Sequence, residues 1–168
     1  MQNKKPGIRV AVDAIVFGYS KNDGVSVLLI QRKYEPFKEK WAIPGGFVLE
    51  DESLEEAVKR ELLEETGIEM NYLEQLYTFG DPARDPRQRV ISVAYFGLVK
   101  TSHYHELKAS TDASNAKWFS IKKLPVLAFD HHELLKVAIE RLRAKVRYQP
   151  IGFELLDKKF PFSDLEKL

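Results

Sequence analysis

The stretch GGFVLEDESLEEAVKRELLEETGIE (residues 45–69) decides the fold of this chain, because it specifies a helix and both of its ends. Ser53 with Glu56 three residues later has the pattern of a capping box, in which two backbone N–H groups of the first turn are satisfied. Gly67 stands where a left-handed residue ends a helix. The sequence therefore predicts a helix from Leu54 to about Thr66.

The apolar side of this predicted helix carries acids. At about 100° per residue, Leu54, Val58 and Leu62 form an arc of about 80°. Three glutamates fall inside or beside this arc: Glu61, Glu64 and Glu65. Burying unpaired carboxylates costs several kcal/mol each, and Arg60 alone cannot neutralise three of them. Hard oxygen ligands on adjacent helical turns suit Mg²⁺ or Mn²⁺, so we predict that the helix forms half of a metal site.

The rest of the chain predicts strands around this helix. The segments VAVDAIVFGY (residues 10–19) and VSVLLIQR (25–32) read as a hairpin, and YLEQLYTFG (72–80) as a further strand. The segment VISVAYFGLV (90–99) is almost entirely apolar, as expected of a central strand that is buried on both faces. A short strand, AKWFS (116–120), precedes a second long helical pattern that begins after residue 130. This order predicts an α/β sandwich with a mixed sheet.

Composition narrows the classes of protein to which the chain can belong. Its 168 residues suffice for one domain, and a net charge of +1 gives no reason to expect the whole chain to bind nucleic acid or an acidic membrane. The absence of cysteine excludes disulfides, thiolate zinc sites and cysteine nucleophiles. No apolar signal segment and no apolar run of about 20 residues is present, so we predict a cytoplasmic protein.

The spacing of residues 46–68 resembles the Nudix box at every defining position: Gly46, Glu52, Arg60, Glu61, Leu62, Glu64, Glu65, Gly67 and Ile68. The Nudix family consists of α/β/α sandwich hydrolases that cleave nucleoside diphosphates linked to another group. The resemblance implies that the three helix glutamates hold one or more Mg²⁺ ions, or Mn²⁺, with the carbonyl oxygen of Gly46 as a further ligand. It also implies that Arg60 and Glu52 orient these ligands and join the preceding loop to the helix.

The general base of the implied reaction stays open between two regions of the sequence. A carboxylate is expected to accept the proton of the attacking water. Glu64 is one candidate. The other is a residue of the loop at 101–114, such as Glu106 or Asp112, because other members of the family draw a base from this region.

The substrate is predicted from residues outside the box. The segment FGDPARDPRQRVISVAYFGLV (residues 79–99) resembles the Nudix branch that handles ADP-ribose. Six residues are predicted to bind substrate: Arg89, Arg84, Arg87, Arg32, Phe47 and Tyr34. The arginines would recognise phosphate or ribose and the aromatic rings would stack on a purine, with Arg89, directly before the buried strand, as the first phosphate candidate. For Arg84 and Arg87 a solvated basic loop is the alternative.

The histidine pair at residues 131–132 invites a metal site, but adjacent helical residues point about 100° apart and chelate poorly. We instead expect Asp130 to be the N-cap of the second helix, with the two histidines in its first turn.

The end of the chain, YQPIGFELLDKKFPFSDLEKL (residues 148–168), suggests a second function. It resembles the junction between the Nudix domain and a winged helix–turn–helix in Nudix-related transcriptional regulators of NAD and sugar metabolism. The expected organisation is a Nudix hydrolase domain at 1–148 and an extension at 149–168, in which the DNA-binding domain is not present.

Two main functions follow from these resemblances. Many such regulators have a degraded box, whereas this chain keeps every defining position, which favours a Mg²⁺-dependent pyrophosphohydrolase. Its expected substrate is ADP-ribose or a related nucleoside diphosphate sugar, with AMP and ribose 5-phosphate as the products of ADP-ribose. The alternative is an ADP-ribose-sensing effector domain with little or no hydrolysis, and an interaction scaffold is a third reading. The family resemblance implies a homodimer, and nucleic acid as a partner only with a C-terminal DNA-binding domain.

Overall fold

The computed structural model describes residues 7–20, 24–71, 73–101, 107 and 113–148. In chain order its elements are β1 (Arg9–Ser20), β2 (Gly24–Arg32), β3 (Trp41–Ala42), β4 (Gly45–Phe47), α1 (Leu54–Thr66), β5 (Glu74–Phe79), β6 (Val90–Lys100), β7 (Ala113–Ser120) and α2 (His131–Tyr148). The extension predicted at residues 149–168 and the loop candidates Glu106 and Asp112 lie outside the described residues.

Within the described residues, seven strands form one mixed sheet, as predicted. The order of its main path is β3-β2-β1-β6-β5, while β4 pairs with β1 and β7 pairs with β2. β1 and β6 run parallel from the pair Arg9–Val90 to the pair Tyr19–Lys100. The other five pairings are antiparallel. β6 is central and buried almost throughout, which explains why its sequence lacks alternation.

The two faces of the sheet are covered by two separate apolar clusters, because successive side chains of a strand point to opposite faces. On one face, Val12, Ala14 and Val16 of β1 pack with residues of α1. On the other face, the cluster joins three residues of β1 to four of α2: Ile15, Phe17, Tyr19, Leu134, Leu135, Ala138 and Leu142. The molecule is therefore an α/β/α sandwich, and the predicted fold class is confirmed.

Helix α1 has the bounds that the sequence predicts. The Ser53 side chain accepts the backbone N–H of Glu56, and the Glu56 carboxylate accepts the backbone N–H of Ser53, which completes the capping box. Gly67 ends the helix with a left-handed backbone (φ 73°) and donates its N–H to the carbonyl oxygen of Leu63. An N-cap serine such as Ser53 stabilises a helix by about 1 kcal/mol.

Two strands differ from the predicted bounds. β7 begins at Ala113 instead of residue 116, because pairing with β2 continues past a register shift beside Arg32. β5 is shorter than predicted, with six residues. No helix among the described residues is both long enough and apolar enough to cross a membrane.

Candidate functional site

A cavity of about 450 Å³ opens where six parts of the chain meet. Its walls come from β1, β2 with the loop that follows, β4, α1, the loop at residues 84–87 and the start of α2. The two helices lie on opposite faces of the sheet, and both contribute residues to the cavity, which lies at one end of the strands. It is the candidate active site.

The acidic wall of the cavity consists of backbone and carboxylates packed against each other. A Cβ atom on Gly46 would lie 2.3 Å from Glu61 Oε1, so the glycine lets this carboxylate lie directly against the backbone. The N–H of Gly45 donates to Glu65 Oε2 over 2.8 Å, and Glu65 is only 5% exposed. The predicted close approach of the glycine turn to the helix acids is therefore present.

The guanidinium of Arg60 binds Glu52 and two of the acids of α1. Arg60 binds both carboxylate oxygens of Glu52, at 2.8 and 2.6 Å, and donates through Nη1 to Glu61 at 2.8 Å and Glu64 at 3.3 Å. Its Nη2 also donates to the carbonyl oxygen of Phe47. The hydrogen bonds from Arg60 lower the pKa of Glu52 to about 2. We call these residues the Arg60 cluster: Glu52, Arg60, Glu61, Glu64 and Glu65.

The donor set of the Arg60 cluster fits a hard divalent cation in its chemistry, since carboxylate and carbonyl oxygens are the ligands that Mg²⁺ prefers. Among the described residues, however, no three acidic or imidazole side chains converge closely enough to hold an ion. Glu61 and Glu64 both contact Arg60, while Glu65 faces the N–H of Gly45. Binding of an ion would therefore require these acidic side chains to move closer to one another.

A second wall of the cavity is basic and aromatic. The guanidinium of Arg9 lies 4.4 Å from the ring centroid of Phe47. That of Arg32 lies 4.8 Å from the ring of Phe129. Arg87 lies 5.8 Å from both rings and is held by two hydrogen bonds to the carboxylate of Asp85. Burial raises the pKa of Asp85, but the hydrogen bonds from Arg87 outweigh it and lower that pKa overall, so the pair stays charged.

Arg84 does not belong to a solvated basic loop, which corrects one of the two readings of this residue. Its side chain is 6% exposed and binds both oxygens of Asp130, at 2.9 and 2.8 Å. The same carboxylate was predicted to cap α2. Asp130 does precede the helix, but both of its carboxylate oxygens bind Arg84.

The Arg84–Asp130 pair continues into further buried polar groups. Ser92 Oγ donates to Asp13 Oδ2 over 2.5 Å, and Arg84 Nη2 lies 3.8 Å from the same oxygen. His131 Nδ1 accepts the N–H of Ile43 over 2.9 Å, which leaves the proton on Nε2, 3.6 Å from Asp13 Oδ1. Burial lowers the pKa of His131 and keeps it neutral. We call these residues the buried cluster: Asp13, Arg84, Ser92, Asp130 and His131.

The structure brings eight of the predicted site residues into the walls of the cavity: Gly46, Glu61, Glu65, Arg84, Arg87, Arg32, Phe47 and Tyr34. Four others lie outside these walls: Glu52, Arg60, Glu64 and Arg89. The first two bind each other behind the acidic wall, and Glu64 is half exposed beside them. The guanidinium of Arg89, which was the first phosphate candidate, donates to the carbonyl oxygen of Val90.

Several wall residues were not predicted: Arg9, Asp13, Asp85, Phe129 and His131. One signal for Asp13 was present in the sequence, since a lone carboxylate within an otherwise apolar strand requires a partner. The two histidines of α2 diverge as expected, with His131 buried and His132 exposed beside Glu133. No sequence pattern marks Phe129, whose place depends on contacts between distant segments.

The comparisons with known proteins agree with this geometry. The family described as NUDIX domain matches residues 7–142. An ADP-ribose pyrophosphatase of Methanocaldococcus jannaschii is 45% identical over 127 residues, which cover 76% of this chain and 70% of that protein. The ADPR responsive transcriptional repressor NtrR of Acinetobacter baylyi is 36% identical over 167 residues, which cover 97% of this chain and 66% of the repressor. This chain thus spans about two thirds of the repressor's length.

Among solved structures, the NUDIX domain of Shewanella oneidensis NrtR, crystallised with ADP ribose, is similar with a TM-score of 0.74 and 37% identity. The similarity covers 84% of this chain and 93% of that domain.

Proposed function

Because the chain belongs to the Nudix hydrolase family, we propose that it is a Mg²⁺-dependent pyrophosphohydrolase that cleaves ADP-ribose or a related nucleoside diphosphate sugar. Water would attack one phosphorus of the diphosphate, and the bridging P–O bond would break. ADP-ribose would then give AMP and ribose 5-phosphate.

One observation carries this proposal, namely that a single cavity is lined both by an acidic wall and by a basic, aromatic wall. The acidic wall offers oxygen ligands from Glu61, Glu65 and the backbone of Gly46. The other wall offers guanidinium groups, which bind phosphate in a bidentate manner, and rings on which a base can stack. A nucleoside diphosphate carries all the groups that these walls match.

The protein's own residues would act as follows. Glu61 and Glu65, with Glu64 and the carbonyl oxygen of Gly46, would hold the ion. When bound, Mg²⁺ would neutralise charge on the diphosphate and activate water for attack on phosphorus. Arg60 would hold the backbone at Phe47 against α1, and Glu52, bound through both oxygens, would keep Arg60 in place.

The general base stays a choice between two regions. Glu64 has a half-exposed carboxylate on α1, within reach of solvent water. Glu106 and Asp112 lie outside the described residues and remain the alternative.

A second function is favoured by a separate observation. The match to the ADPR responsive repressor extends over 97% of this chain and so includes residues beyond the Nudix match. The chain would then be an ADP-ribose-sensing effector domain that binds its ligand in the same cavity with little or no hydrolysis.

The deciding experiment measures release of AMP from ADP-ribose with and without Mg²⁺, beside a calorimetric titration with ADP-ribose. The Glu64→Gln variant removes one proposed ligand from a half-exposed position, so it is expected to fold normally and to lose turnover. Glu140→Gln is the matched control, because it makes the same change on the exposed side of α2.

Metal-dependent turnover that Glu64→Gln loses and Glu140→Gln keeps would support the hydrolase. Tight binding of ADP-ribose without any turnover would instead support the sensor. If ADP-ribose neither binds nor reacts, the proposed substrate is wrong.

A further inference from the structure

Two phenylalanines next to the cavity have an unfavourable backbone conformation. Among the described residues, three other than glycine have positive φ: Phe37 (64°), Glu39 (66°) and Phe129 (51°). A left-handed backbone costs a residue with a bulky side chain roughly 1–2 kcal/mol, so the surroundings must hold these residues in place.

The two strained phenylalanines contact each other. Their ring centroids are 4.7 Å apart with an angle of 62° between the planes, which is the favourable edge-to-face geometry. Phe129 lines the candidate active site, and both rings line a neighbouring cavity of about 520 Å³. Phe129 therefore lies between the two cavities, and Phe37 contacts it from the side of the second cavity.

Packing alone does not account for this arrangement. Phe129 is partly buried against a small apolar cluster, and Phe37 is 38% exposed. An aliphatic side chain would fill such positions without requiring an aromatic face. The ring of Phe129 also has a guanidinium from Arg32 at 4.8 Å and the ring of His131 at 5.4 Å. Cationic and aromatic groups thus surround one ring that borders the site.

The backbone of Phe47 lies beside the acidic wall, where the diphosphate of a substrate is proposed to bind. Phe47 directly follows Gly46, and its carbonyl oxygen binds Arg60, so it lies beside the residues that would face the diphosphate. In a nucleoside diphosphate a ribose separates the base from the phosphates. Among the described residues of this cavity, Phe129 is a second aromatic ring flanked by arginine, and it belongs to the segment before α2, far from Phe47 in the chain.

We propose that Phe129, supported by Phe37, binds the nucleobase of the substrate by stacking and sets a preference for purines over pyrimidines. This inference rests on the proposed function, in that the cavity must bind a nucleoside diphosphate. Stacking strength follows ring area, so the larger purine gains more from the same phenylalanine.

The test compares ADP and UDP, which differ only in their base, with inorganic pyrophosphate, which has neither base nor ribose. Affinities are measured by calorimetry on the full chain with Mg²⁺ present. Phe129→Leu keeps an apolar side chain of similar size and removes the ring, and Phe129→Trp restores an aromatic face. Phe119→Leu is the matched control, because Phe119 is also half-buried, makes an edge contact with Trp41 at 4.6 Å, and lines neither cavity.

We expect Phe129→Leu to weaken ADP binding by roughly 5- to 50-fold, to weaken UDP binding less, and to leave pyrophosphate binding unchanged. Phe129→Trp should retain the preference for ADP, and Phe119→Leu should bind all three ligands like the wild type. Phe37→Leu should show the same pattern as Phe129→Leu with a smaller change, which provides a second test if Phe129→Leu does not fold.

An equal loss for all three ligands, or an unchanged preference for ADP, would overturn the inference. AMP release from ADP-ribose by the wild-type chain, measured in parallel, separates this failure from that of the proposed function. A chain that hydrolyses ADP-ribose while Phe129→Leu keeps the wild-type preference refutes only the role of Phe129. A wild-type chain that binds none of the three ligands and releases no AMP from ADP-ribose refutes both.

Discussion

The Arg60 cluster and the buried cluster contain similar residues, yet they are built in opposite ways. In the Arg60 cluster the partners of Arg60 are one, four and eight residues away, and the Arg60 side chain is 26% exposed. In the buried cluster the hydrogen-bond partners are 46, 79 and 88 residues apart, and the Arg84 side chain is 6% exposed. The accessible cluster can exchange partners for a ligand. The buried cluster joins β1, β6, α2 and the loop at 84–87, so we expect it to stabilise the fold.

The largest expected effect comes from breaking the buried cluster. Arg84→Met leaves the carboxylates of Asp130 and Asp13 without their cation, and loss of one partner from a buried pair costs about 3–5 kcal/mol. Urea unfolding followed by circular dichroism gives this value. Arg60→Met is expected to cost less than half as much, because the Arg60 side chain is 26% exposed and solvent screens its ion pairs, whereas that of Arg84 is 6% exposed.

A double variant sharpens this comparison. Arg84→Met combined with Asp130→Leu removes both charges of the pair, so it should recover part of the lost stability. Equal destabilisation by Arg84→Met and Arg60→Met would mean that burial does not distinguish the two clusters.

The next largest effect is on activity and belongs to the Arg60 cluster. Glu61→Gln should lower kcat for ADP-ribose by at least about 100-fold with little change in the free energy of unfolding, because it removes a negatively charged oxygen ligand from the cavity wall. AMP release at saturating ADP-ribose, measured beside Glu140→Gln, checks this. A loss of stability as large as that of Arg84→Met would show that Glu61 supports the fold instead.

A matched pair of serine substitutions compares single hydrogen bonds in two settings. Ser92→Ala removes a donor to the buried carboxylate of Asp13 and should cost roughly 1.5–3 kcal/mol. Ser53→Ala removes the exposed cap of α1 and should cost about 1 kcal/mol. Both values come from urea unfolding at neutral pH. The reverse order would contradict the assignment of stability to the buried cluster.

The smallest expected effect is a dependence of stability on pH. Burial lowers the pKa of His131 below its ordinary value of 6.5, so below pH 6.5 the unfolded chain binds a proton that the folded chain does not. The stability that His131 contributes is complete above pH 6.5 and is lost as the pH falls toward the folded pKa. His131→Asn keeps an acceptor for the N–H of Ile43 and does not titrate. Unfolding free energies from pH 7.5 to 5.5 should therefore fall less steeply in the variant, and parallel slopes would refute the role of His131.

How far the sequence predicts each part of the molecule follows from the range of the contacts involved. The bounds of α1 were predicted correctly because Ser53, Glu56 and Gly67 act on backbone groups within one helical turn. The placement of Glu61 and Glu65 beside the apolar arc was also predictable, since helical geometry alone sets it. For Arg89 the sequence indicated only that an arginine precedes a buried strand. The direction in which the Arg89 side chain points depends on packing, and this residue does not line the cavity.

By itself, the sequence determined the α/β class, the central strand β6, helix α1 with both of its ends, and the local arrangement of acids around Arg60. These follow from side-chain periodicity and from contacts over a few residues. Only the tertiary structure decided that Arg84 is buried with Asp130, that Asp13 and His131 meet beneath the cavity, and that Phe129 faces it. Each of these contacts joins segments far apart in the chain, and their approach depends on the pairing of β1 with β6 and on the docking of α2, which no local pattern specifies.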